Sequence, residues 1–169
     1  MSLALCAVTA ATLLTVGAPA LAAGGLKLDV GRGFESSPTE SLFSDDIVLS
    51  STDRVSRQVR LRNDAGQQGS LTLRVIDLFD DEAADCRRSA PDVGRCGVRL
   101  SGVLVLDVWS TQARVWSGTL TAAAAGVPLG ALPPDAVSDL RLDLRLEDAG
   151  DPYTGASSRF DVQIGRAHV

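Results

Sequence analysis

Leu140-Arg-Leu-Asp-Leu-Arg-Leu146 alternates apolar and charged residues without a break. In an extended chain, successive side chains point to opposite faces. The stretch therefore puts Leu140, Leu142, Leu144 and Leu146 on one face and Arg141, Asp143 and Arg145 on the other. A helix repeats every 3.6 residues and would scatter those leucines around its circumference. The segment reads as an antiparallel strand with one face in a core and one in water.

The same period recurs along the chain. Leu26, Leu28 and Val30 alternate with Lys27 and Asp29. Val55, Val59 and Leu61 alternate with Ser56, Gln58, Arg60 and Arg62; Leu71, Leu73 and Val75 alternate with Thr72 and Arg74. Phe160, Val162 and Ile164 alternate with Arg159, Asp161 and Gln163. Val103 to Trp109 is apolar on both faces except at Asp107, which predicts a central strand; Ile47 to Leu49 is a shorter candidate. Turn residues separate the runs at Gly31 and Gly33, Asn63-Asp64-Ala65-Gly66, Pro133-Pro134-Asp135 and Asp148-Ala149-Gly150-Asp151-Pro152. One short helix is expected over Leu120–Ala125, ended by Gly126, and a helical turn over Pro152–Ala156. The expected fold is all-β: an antiparallel two-sheet β-sandwich, jelly-roll or immunoglobulin-like, with one or two short helices. The loops and strands around Val55 and around Leu140 echo each other, too weakly to form a sequence repeat.

Leu3 to Val16 is uncharged and apolar or small, and Ala20-Leu21-Ala22 is a small-x-small site of the kind signal peptidase cuts before Ala23. Residues 1–22 are therefore expected to be a cleaved signal peptide and residues 23–169 a single sandwich domain. A retained anchor is the alternative. Thr9, Thr12, Thr15, Gly17 and Pro19 interrupt the run, which falls short of the about 20 apolar residues a spanning helix needs. No stable membrane span is expected after cleavage. No Lys or Arg precedes the apolar run, so the true start is expected upstream. Leu5 before Cys6 is not the small residue a lipobox requires.

Net charge is −5, with Lys27 the sole lysine, which argues against nucleic acid as a partner because phosphate neutralisation needs clustered cations. In an exported chain, Cys86 and Cys96 make an even pair, and a bridge closing segment 87–95 stabilises by about 2–3 kcal/mol in the chain-entropy model. The competing metal reading lacks a neighbouring His or a further Cys. His168 is the single histidine, next to last, which disfavours a Ser-His-Asp arrangement; there is no HExxH and no phosphate-binding glycine loop. No catalytic residue and no cofactor are assigned, and an enzyme is not expected.

Two clusters remain as ligand candidates. Asp77, Asp80, Asp81, Glu82 and Asp85 form an acidic run. Asp80, Asp81, Glu82 and Asp85 are a weak calcium candidate, because calcium takes carboxylate oxygens; the spacing matches no EF-hand, and a solvated acidic loop with Arg87 and Arg88 as counter-charges is the favoured reading. Trp109 and Trp116 flank the turn Ser110–Ala113 and are candidates to stack on a sugar or anchor a partner, or else to pack in the core.

Several of these segments, in this order, resemble the camelysin/TasA-like secreted proteins. They are Leu26-Lys-Leu-Asp-Val30, Leu49 to Asp53 leading into Val55–Asn63, the Cys86–Cys96 segment before the strand ending at Trp109, Val115-Trp-Ser-Gly-Thr-Leu120, and Asp151-Pro-Tyr-Thr-Gly-Ala to Val162. The bridged segment is similar to that of actinobacterial members. The resemblance implies a jelly-roll-like sandwich, export, and a role as a subunit of extracellular matrix or fibres; some members are classed as metallopeptidases. It also implies an N-terminal region that pairs with the next subunit, whereas cleavage after Ala22 leaves only Ala23, Gly24 and Gly25 before Leu26. The expected function is a secreted, non-catalytic structural protein of the cell envelope or matrix, self-associating or joining related subunits through sheet edges. The alternatives are an extracellular glycan- or ligand-binding module and, less favoured, a secreted metallopeptidase.

Overall fold

A computed structural model describes residues 25–31, 33–36, 42–43, 49, 52–81, 99–111, 113–147 and 156–168. Ala20, Ala22, Ala23, Glu82, Asp85, Cys86 and Cys96 lie outside the described residues, as does most of the Ile47–Leu49 candidate. The strands are β1 (Leu26–Asp29), β2 (Arg54–Asn63), β3 (Gly69–Asp81), β4 (Leu104–Ser110), β5 (Ala113–Thr119), β6 (Val127–Leu132), β7 (Val137–Leu146) and β8 (Ser157–His168). A single-turn helix α1 (Leu120–Ala123) joins β5 to β6, and a 3-10 turn (Leu100–Gly102) precedes β4. No described helix is long and apolar enough to cross a membrane.

The strands form two antiparallel sheets, ordered β1-β2-β7-β4-β5 and β6-β3-β8. The alternating residues meet in one core between them. Val59 and Leu61 of β2, Leu106 and Val108 of β4, and Leu140, Leu142 and Leu144 of β7 face Leu71, Leu73 and Val75 of β3, Val127 of β6 and Ile164 of β8. The chain is thus an all-β sandwich, as the alternation predicts. Removing a fully buried leucine such as Leu142 from such a core costs about 2–5 kcal/mol.

The two segments that echo each other in sequence, β2 and β7, lie side by side at the centre of the larger sheet, with Val55 opposite Leu144 and Leu61 opposite Ser138. Two elements differ from expectation. β6 is a strand without alternation; Pro128 and Gly130, at φ +92°, hide its period. The acidic run is no simple loop, because Asp77, Asp80 and Asp81 belong to β3. The short helix forms as expected: the Thr119 hydroxyl accepts from the Ala122 amide at 3.2 Å, and Gly126, at φ +107°, turns the chain into β6.

Asn63 continues the inward row of β2 but is polar and fully buried. Its side-chain amide donates to the carbonyls of Gln67 (2.9 Å), Leu132 (2.9 Å) and Pro133 (3.0 Å), and its oxygen accepts from the Ala65 amide (3.2 Å). It thereby ties the β2–β3 turn to the end of β6, and so one sheet to the other.

Candidate functional site

The outer face of the five-stranded sheet concentrates charge. Cross-strand register sets Ser56, Asp143, Asp107 and Ser117 in one row over β2, β7, β4 and β5. Asp107 and Asp143 stand directly opposite each other, an arrangement that repels when both are ionised. Both are only 1% exposed although their strand face is the solvent face, because arginines lie over them. Asp143 accepts from the Ser56 hydroxyl at 2.7 Å and pairs with Arg141 (3.2 Å) and Arg54 (3.8 Å). Asp107 pairs with Arg145 (3.1 Å) and Arg114 (3.4 Å). Burial pushes the Asp107 carboxyl up, but hydrogen bonds from Ser117 and Arg145 and the nearby guanidinium charges outweigh it and hold the group below its ordinary value. A carboxylate so occupied is ionised at neutral pH and is not set up as a general acid.

Trp109 lies next in this face. The Arg141 guanidinium stacks 4.6 Å from its ring and that of Arg114 at 5.9 Å. The indole N–H is buried with no hydrogen-bond partner. Beside it, Gln58, Arg60, Thr111, Asp139 and Arg141 line an open groove of about 440 Å³. Thr111 turns between β4 and β5 at φ +57°.

Trp116, the other expected contact, is not brought to this groove. Its cross-strand partner is Val108, a core residue, so the two tryptophans belong to opposite faces of the sheet. Trp116 packs against the core, and its ring lies along its own strand over Gly118, where a Cβ would stand 2.6 Å from the ring. Both oxygens of Asp80 are taken by Ser101: the amide donates at 2.9 Å and the hydroxyl at 2.6 Å. Asp80 thus clasps the end of β3 to the turn before β4. Among the described residues, no three His, Cys, Asp or Glu side chains gather as a metal site.

Arg166 was not singled out by sequence, yet the signal is visible in it. Phe160, Val162 and Ile164 define the inward row of β8, and Arg166 is the next member of that row. It is 8% exposed. One Nη2 donates to the carbonyls of Gln67 (2.7 Å) and Gln68 (3.4 Å), while Nε and Nη1 are buried without partners. No known family, curated protein or solved structure matches this chain.

Proposed function

We propose that this chain is a secreted, non-catalytic structural protein of the cell envelope or extracellular matrix that associates with its own kind, or with related subunits, through a sheet edge. The observation that carries this reading is the edge of β8. The smaller sheet ends on this strand, which runs from Ser157 to His168 and contains no proline. The other edges are blunted. β6 carries Pro128 and a register shift against β3, β1 is bridged by Glu35 at Leu28, and β5 is short and bulged against β4. An extended segment adding to β8 would gain main-chain hydrogen bonds and fill the smaller sheet.

The strand order supports the jelly-roll form of the sandwich. β2-β7-β4-β5 facing β6-β3-β8 is the order of an eight-stranded jelly roll, in which the first strand lies beside the last. Here β1 pairs with β2 instead, so the position beside β8 is the one the fold would ordinarily fill. The resemblance to camelysin/TasA-like proteins supports the structural role but not their N-terminal route of assembly, since cleavage after Ala22 leaves three residues before Leu26. The expected Cys86–Cys96 bridge and signal cleavage fit an extracellular setting.

The test is assembly. Electron microscopy and light scattering of the concentrated protein are expected to show fibres or higher oligomers. A monomer that persists across salt and pH defeats the proposal.

A second reading, a glycan-binding module, is favoured by one observation: a groove lined by Gln58, Asp139 and Arg141, the last of which also stacks on Trp109. Tryptophan fluorescence titrated with cell-wall glycans tests it. Saturable quenching lost in Gln58→Ala supports it, and a flat response removes it.

A further inference from the structure

We propose that Arg166 and Gly69 form a carboxylate-binding site at the end of the sandwich, for an acid that the described chain does not supply. A guanidinium carries a full charge that stays protonated under all ordinary conditions. Burying it is unfavourable unless an anion compensates it. Arg166 is more than nine-tenths buried, and its recorded acceptors are the uncharged carbonyls of Gln67 and Gln68. Gln67 is shared, since its carbonyl also accepts from Asn63. Nε and Nη1 have no acceptor. Among the described residues, no carboxylate pairs with this guanidinium, whereas Asp107 and Asp143 on the other sheet each have two arginines.

The slot that holds the side chain is built by sequence. Gly69 lies diagonally across from Arg166 in the β3–β8 ladder, where Leu71 is opposite Arg166. A Cβ on Gly69 would stand 1.9 Å from Arg166 Nε and 2.5 Å from Cγ and Cδ. Glycine is therefore required for the side chain to lie flat against β3 with its head at the sandwich end. One guanidinium balances one carboxylate charge, with charge-assisted hydrogen bonds as the gain. A phosphate dianion would leave a charge buried and unbalanced.

The carboxylate has two sources: a small free acid, or an acidic side chain or chain end of another copy docked at β8. The second source rests on the strand-accepting reading of β8; the first does not. The experiment is thermal unfolding of the full chain titrated with sodium acetate against sodium chloride at equal ionic strength, with light scattering on the same samples, for the wild type, Arg166→Met and Arg166→Lys. Ligand at a hundredfold excess over its Kd raises Tm by about 5–10 °C in a chain of this size. A saturable acetate rise in the wild type, weakened in Arg166→Lys and absent in Arg166→Met, establishes a site for free acids. The wild-type titration decides this arm even where a variant fails to fold. No acetate response, but assembly that a folded Arg166→Met or Arg166→Lys variant loses, assigns the carboxylate to another copy. Wild type indifferent to acetate, with assembly unaltered in the folded variants or no assembly at all, overturns the site. Assembly that survives those substitutions leaves the β8 reading standing while this one falls.

Discussion

The two sheets treat buried charge in opposite ways. On the larger sheet, Asp107 and Asp143 face each other across β4 and β7, and each is held by two guanidiniums and a serine hydroxyl. On the smaller sheet, Arg166 is buried with two of its nitrogens unpartnered. The first arrangement is closed: repulsion between like charges is offset by cations that reach over from neighbouring strands. The second is open: among the described residues no carboxylate offsets the Arg166 charge, and no strand pairs with the outer side of β8.

Asp107→Ala strands Arg145 and Arg114 over an apolar strand and is expected to destabilise by about 3 kcal/mol in urea unfolding, since losing one partner of a buried pair is costly. A loss under 1 kcal/mol would show that the arginines simply turn to water. Asn63→Ala, which leaves the carbonyls of Gln67, Leu132 and Pro133 short of a donor between the sheets, is expected to cost about 2 kcal/mol by the same measurement. On the smaller sheet, Gly69→Ala displaces the Arg166 side chain and is expected to cost about 1–2 kcal/mol. Gly165→Ala, whose Cβ meets nothing within 4 Å, is its control and should stay within about 0.5 kcal/mol of wild type. Equal effects at the two glycines would remove the slot.

Acid gives the smallest and most graded effect. Asp64, hydrogen-bonded by Arg62 and then Lys27, has its carboxyl lowered from 3.8 to about 2, and Asp107 also lies below its ordinary value. Groups with depressed folded values stabilise the fold above their unfolded value and lose that contribution as pH falls through the folded one. The denaturation midpoint should therefore hold above about pH 4 and decline toward pH 2. Asp107→Asn should flatten part of that decline; an unchanged slope would uncouple Asp107 from it.

Much of the architecture is legible in the sequence because alternation is a strong signal where one face is buried. Leu140 to Leu146 and Val55 to Leu61 show it most clearly, and they became the central pair of the larger sheet. β6 escaped because Pro128 and Gly130 interrupt its period. The candidate sites were less legible, because they depend on which strands become neighbours. Nothing along the chain places Asp107 against Asp143, or Ser101 against Asp80, since register across a sheet is a tertiary outcome. Trp109 and Trp116 look like a pair in sequence, but the bulge between Val108 and Trp109 and the pleat put them on opposite faces. Arg166 was readable in principle as a charge in an apolar row, which outlines a polar site only once burial is known.

The pairing of β3 with β8 has a kinetic consequence. Ser70 meets Ala167 and Val75 meets Val162, so the smaller sheet is completed by a strand made roughly half the chain later. Such ladders require large loops to close before any contact rewards them, which places folding in the range of about milliseconds to seconds. Until then β3 has only β6 beside it, and Leu73 and Val75 stand on an exposed edge. Until β8 docks, that edge of β3 is where the chain is open to pairing with another molecule, so the interval before β8 arrives is the one in which misassembly competes with folding.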